Sequence, residues 1–332
     1  MTQNAAAFSL TDFPGMEEDL EKVNGHIKRL LSSDLPSMQE MMDYVLGARG
    51  KQIRPILTIL CSKLHGKQNS DATEMAAIVE IFHTASLIHD DIIDNADTRR
   101  GRPSVQQKFG RDMALYAGDF MIFSTLAQTL LTAKVWYKDI FKKMNIMCTG
   151  EIAQYGKRHD PGITEEQYLN NIVGKTSAMF SAACLMGAYS GSCTQKEIAA
   201  VDEYAKNFGL IFQLRDDLRD FLTTEKESKK PVHSDFRNGY FTLPAIVTFR
   251  DEKYGPMLRD INAKLERGED DPSIDEELQK LMTASGGYEY SLKKMQECRD
   301  AAIAALEPIK ESDAKNKLTE IVNYCYDSME TL

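Results

Sequence analysis

The 332-residue chain lacks the features that mark several specialised protein classes. Its six cysteines, at positions 61, 148, 184, 193, 298 and 325, form no Cys-x-x-Cys pair and no zinc-type Cys/His spacing. A disulfide framework or zinc site is therefore not expected, and free thiols in a reducing, cytoplasmic setting are. Only 20 glycines and 10 prolines are present, which excludes a collagenous chain, and a hydrophobic content of 42% argues against disorder throughout. Basic charge is in deficit: 40 Lys and Arg stand against 50 Asp and Glu, for a net charge of −10, so no nucleic-acid partner is expected. The N-terminus has no basic region followed by an apolar run, and no signal peptide is read there. Residues 176–195 carry no charge over a membrane-spanning length, but their Ser, Gly and other small side chains fit a buried helix broken near Gly187 or Gly191. No transmembrane segment is expected.

There is also no alternating β-branched run long enough for a sheet, no fixed-period repeat and no Pro/Gly/Ser linker. Asn238-Gly239 falls in a loop. What remains reads helical. Segments such as ATEMAAIVEIFHTASLIHDDIID are rich in helix formers, with apolar residues spaced near 3.6. Asp71 with Glu74 and Thr164 with Gln167 have capping-box spacing, and Pro272 suits a helix start. Loops 96–104 and 223–239 are dense in charge and are candidate lids. The expectation is one all-α domain, a helical barrel or bundle, over residues 1–332.

Two copies of one acidic pattern carry the chemistry: Asp90-Asp91-Ile92-Ile93-Asp94 and Asp216-Asp217-Leu218-Arg219-Asp220. Helical positions i and i+4 are about 40° apart, so Asp90 and Asp94 share a face, as do Asp216 and Asp220. Each pattern ends a strongly apolar helix. Carboxylates gathered at the mouth of an apolar barrel repel one another unless a cation intervenes. An all-oxygen donor set favours Mg2+, which keeps waters and bridges to phosphate. A lone acidic five-mer is often just a solvated helix end. Two copies, each followed by basic residues (Arg99-Arg100-Gly101-Arg102 and Lys229-Lys230), are harder to dismiss, and Lys51 and Arg54 add a third basic cluster. The set points to two polyanionic groups, one held through metal and one by cations directly.

The motifs GKQIRP, HTASLIHDDIIDNADTRRGRPS, GKTSAMF, FQLRDDLRDF and SDFRNGYFTLP, in that order, make the chain similar to the trans-isoprenyl diphosphate synthases over about residues 50–245. SGGYEYS and the helices after it extend the likeness toward the C-terminus. The resemblance implies an isoprenoid-synthase helical fold and the head-to-tail transfer of an allylic chain to isopentenyl diphosphate. Carried onto this sequence, it implies that Asp90, Asp91, Asp94, Asp216 and Asp220 hold Mg2+, about three ions with substrate bound. Lys51, Arg54, His83 and Arg100 match the isopentenyl diphosphate ligands. Arg99, Lys175, Thr176, Gln213 and Lys230 match the allylic diphosphate ligands. Asp90, Asp94, Asp216 and Lys175 are the catalytic residues on this reading. Released pyrophosphate takes the proton, so no side-chain base is required, and a homodimer is implied.

Taken alone, several of these residues have plainer readings: His83 as a hydrogen-bonded core histidine, Lys51 and Arg54 as a solvated pair, and Thr176 as a helix-bonding hydroxyl. Seven residues separate His83 from Asp90, which places both on nearly the same helical face. Asp119 and Gln154 lie in family-like contexts without an assigned role. Departures from the family are also visible. Tyr240 stands where many members have a second lysine, Arg215 and Arg219 flank the second acidic motif where apolar residues are usual, and no basic residue follows Lys317.

Product length is read from the positions before the first aspartates. Ser86, four before Asp90, lies one turn deeper on the same face, while Ala85, five before, falls well round the helix and is a gate position only by the resemblance. Both are small, whereas short-chain synthases that resemble this chain usually place aromatics at one or both, so the floor falls to deeper residues. Phe82 is one, and Val79, about 16 Å below Asp90, is another. A medium or long all-trans product follows, on the order of six to ten isoprene units. The alternatives are a geranylgeranyl or farnesyl diphosphate synthase, a terpene cyclase (lacking its usual second metal motif), a ferritin-like di-iron protein suggested by Glu80-x-x-His83 (lacking a second Glu-x-x-His), and a non-catalytic partner subunit (which commonly lacks intact acidic motifs).

Overall fold

The computed structural model describes residues 15–48, 50–66, 71–222, 233–269, 271 and 273–329. It is built almost wholly of helices: α1 (Glu17–Leu30), α2 (Pro36–Leu46), α3 (Ile53–Ser62), α4 (Ala72–Ile93), α5 (Val105–Phe109), α6 (Arg111–Thr132), α7 (Tyr137–Tyr155), α8 (Glu165–Ile172), α9 (Ala178–Ser190), α10 (Gln195–Leu222), α11 (Ser234–Arg237), α12 (Leu243–Arg250), α13 (Gly255–Glu266), α14 (Ser273–Ala284), α15 (Gly287–Ala305) and α16 (Asp313–Asp327). A one-turn π-helix, Val173–Ser177, joins α8 to α9. The all-α expectation holds.

Uncharged α9 is apolar on every side, and it is buried along nearly its whole length, as a helix without a polar face must be. It packs on α3, α4, α7 and α10. Thr58 Oγ1 of α3 donates to the Ala183 carbonyl at 3.0 Å, tying α3 to this central helix. The helix stops at Gly191, the second of the two glycines foreseen as breakers.

Other local expectations divide. At Thr164 and Gln167 the capping box forms in both directions. At Asp71 it does not: that carboxylate reaches Lys134 at 3.0 Å, while Glu74 pairs with Arg29 and accepts from Gln128 Nε2. Tertiary ion pairs there outcompete the local cap. Pro272 lies outside the described residues, and so does 223–232 of the second candidate lid. Loop 96–104 does contain strand pairing, a two-residue hairpin of β1 (Thr98–Arg99) and β2 (Arg102–Pro103). It is also stapled at both ends. Ser104 Oγ donates to the Ala96 carbonyl at 2.7 Å, Gln106 Nε2 donates to the Asp91 carbonyl at 2.7 Å, and Tyr44 OH donates to the Pro103 carbonyl at 2.8 Å. These contacts tie the loop to α2, α4 and α5.

Among the described residues, one helix, α6, is long and apolar enough to cross a membrane, and a third of that stretch is buried. Of the segment flagged from sequence, 176–190 is core, and 191–195 forms a partly exposed turn and the start of α10.

Candidate active site

Helices α4 and α10 each deliver an acidic pattern to the same region. Asp90 lies in the last turn of α4 with Asp94 as its C-cap, and Asp216 and Asp220 lie one turn apart near the end of α10. The middle aspartates turn elsewhere. Buried Asp91 accepts from Arg99 Nε at 2.9 Å. Buried Asp217 accepts from Tyr168 OH at 2.5 Å and from Gln213 Nε2 at 2.8 Å. Gln213 in turn accepts from Thr176 Oγ1 at 2.7 Å, so the relay Thr176–Gln213–Asp217–Tyr168 fixes the inner side of the second pattern. Asp216 accepts from Arg215 Nη2 at 2.9 Å; this buried arginine is thereby held against its neighbour. Asp220 accepts from Ser234 Oγ at 3.1 Å and from the Asp235 amide at 3.3 Å.

Lys175 lies within electrostatic reach of the first pattern and of Asp235, which neighbours the second. Its π-helical turn inserts an extra residue in the helical path, a device common at functional sites. The turn lies so close to α7 that a Cβ on Gly150 would sit 2.8 Å from Gly174 backbone atoms. This approach brings Glu151 and Gln154 to the lysine: Lys175 Nζ lies 3.1 Å from Glu151 and donates to Gln154 Oε1 at 3.2 Å. Burial lowers the Lys175 ammonium, but Glu151, Asp90 and Asp94 outweigh it and hold the group above its ordinary value.

The carboxylates show the strain of crowding. Burial, then Glu151 and Asp94, push Asp90 up to about 6 against the pull of Lys175. Burial raises Asp217 to about 6 despite its two hydrogen bonds. Asp235, on α11, is pushed up to about 7 by burial and by Asp217 and Asp220. Among the described residues no three of these carboxylates converge tightly enough to form a preformed cage. The donor set is oxygen only, and an excess of buried negative charge is what a divalent cation relieves. Mg2+, which binds through one or two carboxylates and shares its remaining positions with water and phosphate, fits this arrangement.

A second cluster is cationic. Arg54 Nη1 lies 3.0 Å from His83 Nε2, and its guanidinium lies 4.4 Å from the centre of the Phe180 ring. Arg100 is tied to the Ala48 carbonyl. Burial and the charges of Arg54, Arg100 and Arg99 hold His83 well below 6.5, so the imidazole is neutral. Lys51 lies close enough to Arg215 and Arg219 for their charge, added to burial, to lower its ammonium. Glu80, buried on the next turn of α4, faces Arg54 and Arg100 electrostatically. Its charge answers theirs, and the Glu-x-x-His spacing has a use here that needs no iron.

Beneath Asp90, Ala85 is buried and Ser86 Oγ turns back to the His83 carbonyl at 2.8 Å. Phe82 meets Phe141 of α7 edge-on at 6.4 Å. Farther down α4, Tyr137 OH reaches the Met75 sulfur at 3.3 Å.

The structure therefore gathers Asp90, Asp94, Asp216, Asp220, Lys175, Thr176 and Gln213 at one mouth, and Arg54, His83 and Arg100 beside it. Lys230 lies outside the described residues. Sequence reasoning passed over Glu151, Tyr168 and Asp235. Each is a single residue whose partners lie elsewhere along the chain, and the hints were the family-like setting of Glu151 near Gln154 and the place of Asp235 in the SDFRNGYFTLP motif.

A family model described as Polyprenyl synthetase matches residues 35–281. Among curated proteins, the chain is 30% identical over 316 residues to an octaprenyl diphosphate synthase of Haemophilus influenzae, covering 94% of each. It is 32% identical over 315 residues to a geranylgeranyl diphosphate synthase of Saccharolobus solfataricus, covering 91% of this chain and 92% of the other. Among solved structures it resembles a decaprenyl diphosphate synthase from Rhodobacter capsulatus, with a TM-score of 0.87 and 29% identity over 94% of this chain and 96% of that one.

Proposed function

The chain belongs to the polyprenyl synthetase family, and on that premise we propose that it condenses isopentenyl diphosphate head-to-tail onto an allylic diphosphate, making an all-trans medium- or long-chain polyprenyl diphosphate. The observation that carries this reading is Lys175 set against Asp90, Asp94 and Glu151, with Asp235 linking it to the second acidic pattern and a separate arginine–histidine cluster alongside. Two diphosphates of different roles need two sites of different charge.

In this reading Lys175, Arg99, Thr176, Gln213 and Lys230 hold the allylic diphosphate, and Asp90, Asp94, Asp216 and Asp220 serve about three Mg2+ ions; Asp91, paired with Arg99, would join them on exchanging that partner for metal. Bound Mg2+ supplies countercharge to the departing pyrophosphate. Lys175 adds a fixed cation at the same place, and Glu151 keeps its ammonium charged. Lys51, Arg54, His83 and Arg100 hold isopentenyl diphosphate with its double bond toward the allylic carbon. Neutral His83 donates one hydrogen bond without adding charge. The apolar helices excluding water protect the carbocation until the double bond attacks it. No side-chain base is invoked; the proton leaves with pyrophosphate.

Small Ala85 and Ser86, whose hydroxyl bonds back to its own helix, support a product longer than four units. Identity alone does not separate the lengths, because long-chain and geranylgeranyl synthases match about equally well. Six unpaired cysteines support a reducing, cytoplasmic location. A homodimer is supported by the outer face of α6 and the adjoining turn, where Phe123, Leu130, Leu131 and Val135 are exposed by 67 to 82%.

The test is incubation of the purified chain with Mg2+, labelled isopentenyl diphosphate and farnesyl diphosphate, sizing the products by chromatography. Products of about thirty carbons or more are expected. A stop at about twenty carbons retains the chemistry and overturns the length. No elongation from any primer overturns the reading.

A further inference from the structure

Two turns at the rim of the mouth interlock. The turn that follows α7 meets the turn that follows α11: the His159 amide donates to the Gly239 carbonyl at 2.9 Å, and Arg158 Nε donates to the Asn238 carbonyl at 2.9 Å. Both backbones are left-handed at the junction, with φ of 59° at His159 and 78° at Gly239. A Cβ on Gly239 would lie 2.5 Å from the imidazole of His159, so only glycine fits. A non-glycine residue persists in this region when its surroundings over-determine it.

What the lock fixes is the side chain of Arg158. Its guanidinium carbon lies 5.1 Å from the centre of the Tyr240 ring and 5.4 Å from that of Tyr155, within cation–π range of both. Nε is spent on Asn238, and among the described residues the two terminal nitrogens have no hydrogen-bond or ion-pair partner. A pinned stem with an open planar fork is suited to a bidentate grip on phosphate. The rim also faces the right place. Burial raises the Tyr240 phenol, and the charges that act on it are Arg158, Lys175, Asp94 and Glu151, so the ring that Arg158 lies against is within electrostatic reach of the lysine and first aspartates of the mouth.

We propose that Arg158 is a binding residue for the allylic diphosphate, carried on the Tyr240 ring to the rim beside Lys175. The mouth thus has a cation at this point although position 240 is tyrosine. The inference rests on the reading of the mouth as the allylic site and adds to it a residue that no motif contains.

The experiment measures, by calorimetry in Mg2+, the dissociation constants of farnesyl thiodiphosphate, a slow-reacting allylic analogue, and of isopentenyl diphosphate. It uses the wild type, Arg158→Ala, and Arg158→Ala combined with Tyr240→Lys. Losing a charge-assisted pair weakens the analogue by about 10- to 100-fold in Arg158→Ala, with isopentenyl diphosphate within about twofold. The lysine variant recovers most of the loss, which a merely structural role would not allow. An unchanged analogue constant, an equal loss for both ligands, or no recovery overturns the proposal. Elongation by the wild type is scored in parallel, so failure of the functional reading shows separately.

Discussion

At the mouth, single side chains are oriented by partners far away in the chain, and their charge states follow from that. His83 is the clearest case. Its folded-state pKa lies below 6.5, so below that pH the unfolded chain binds more protons than the folded one, and stability is lost as pH falls through 6.5. Urea unfolding at about pH 7.5 and about pH 5.5 is expected to show the wild type losing up to about 1 kcal/mol more than His83→Gln over that interval. Lys175→Ala leaves Glu151 and Asp90 without their shared cation. Turnover with farnesyl diphosphate is expected to fall by about 100-fold or more in steady-state assays, with the constant for isopentenyl diphosphate changed far less. The aspartates were legible in the sequence because their spacing repeats the helical period twice. Glu151, Tyr168 and Asp235 were not, because nothing local says that Tyr168 meets Asp217, 49 positions away.

Among the elements, α4 would act as the ruler of the proposed reaction. It carries the first aspartates at one end and Ala85, Phe82, Val79 and Met75 below them, at about 1.5 Å per residue. Ala85→Phe puts a ring into a fully buried position on α4, about 7.5 Å along the helix from Asp90, and is expected to shorten the product to about four units or fewer. Phe82→Ala removes one half of the edge-on pair with Phe141, and is expected to lengthen the product by about one unit and to destabilise the fold by about 2 kcal/mol. Product chromatography and thermal unfolding check both. Helix identity was readable from apolar spacing, and the Thr164 cap from its Gln167 partner. The hairpin at 98–103 escaped because a two-residue strand has no period to detect. The π-helical turn escaped because its cause is the close pass of Gly150 over Gly174.

At the scale of the whole molecule, the uneven burial of α6 is the open question the architecture poses. A helix with Phe123 and Leu131 exposed by 67% and 81% presents an apolar face that a second copy would cover. Phe123→Glu with Leu131→Glu is expected to give a monomer by sedimentation where the wild type sediments as a dimer, with helicity retained in circular dichroism. Global chain pairing of this kind leaves only an apolar excess in the sequence, which reads equally as core.

The central helix has a consequence in time. Because α9 is enclosed by α3, α4, α7 and α10, no local fraying can open its middle amides to solvent. In heavy water, Ala182 to Met186 are expected to be among the last backbone protons replaced by deuterium, at a rate that tracks loss of the entire fold. Peptides from α11, a four-residue helix at the rim, are expected to exchange long before. Mass spectrometry of timed samples would read this order directly, making α9 an internal clock for the molecule.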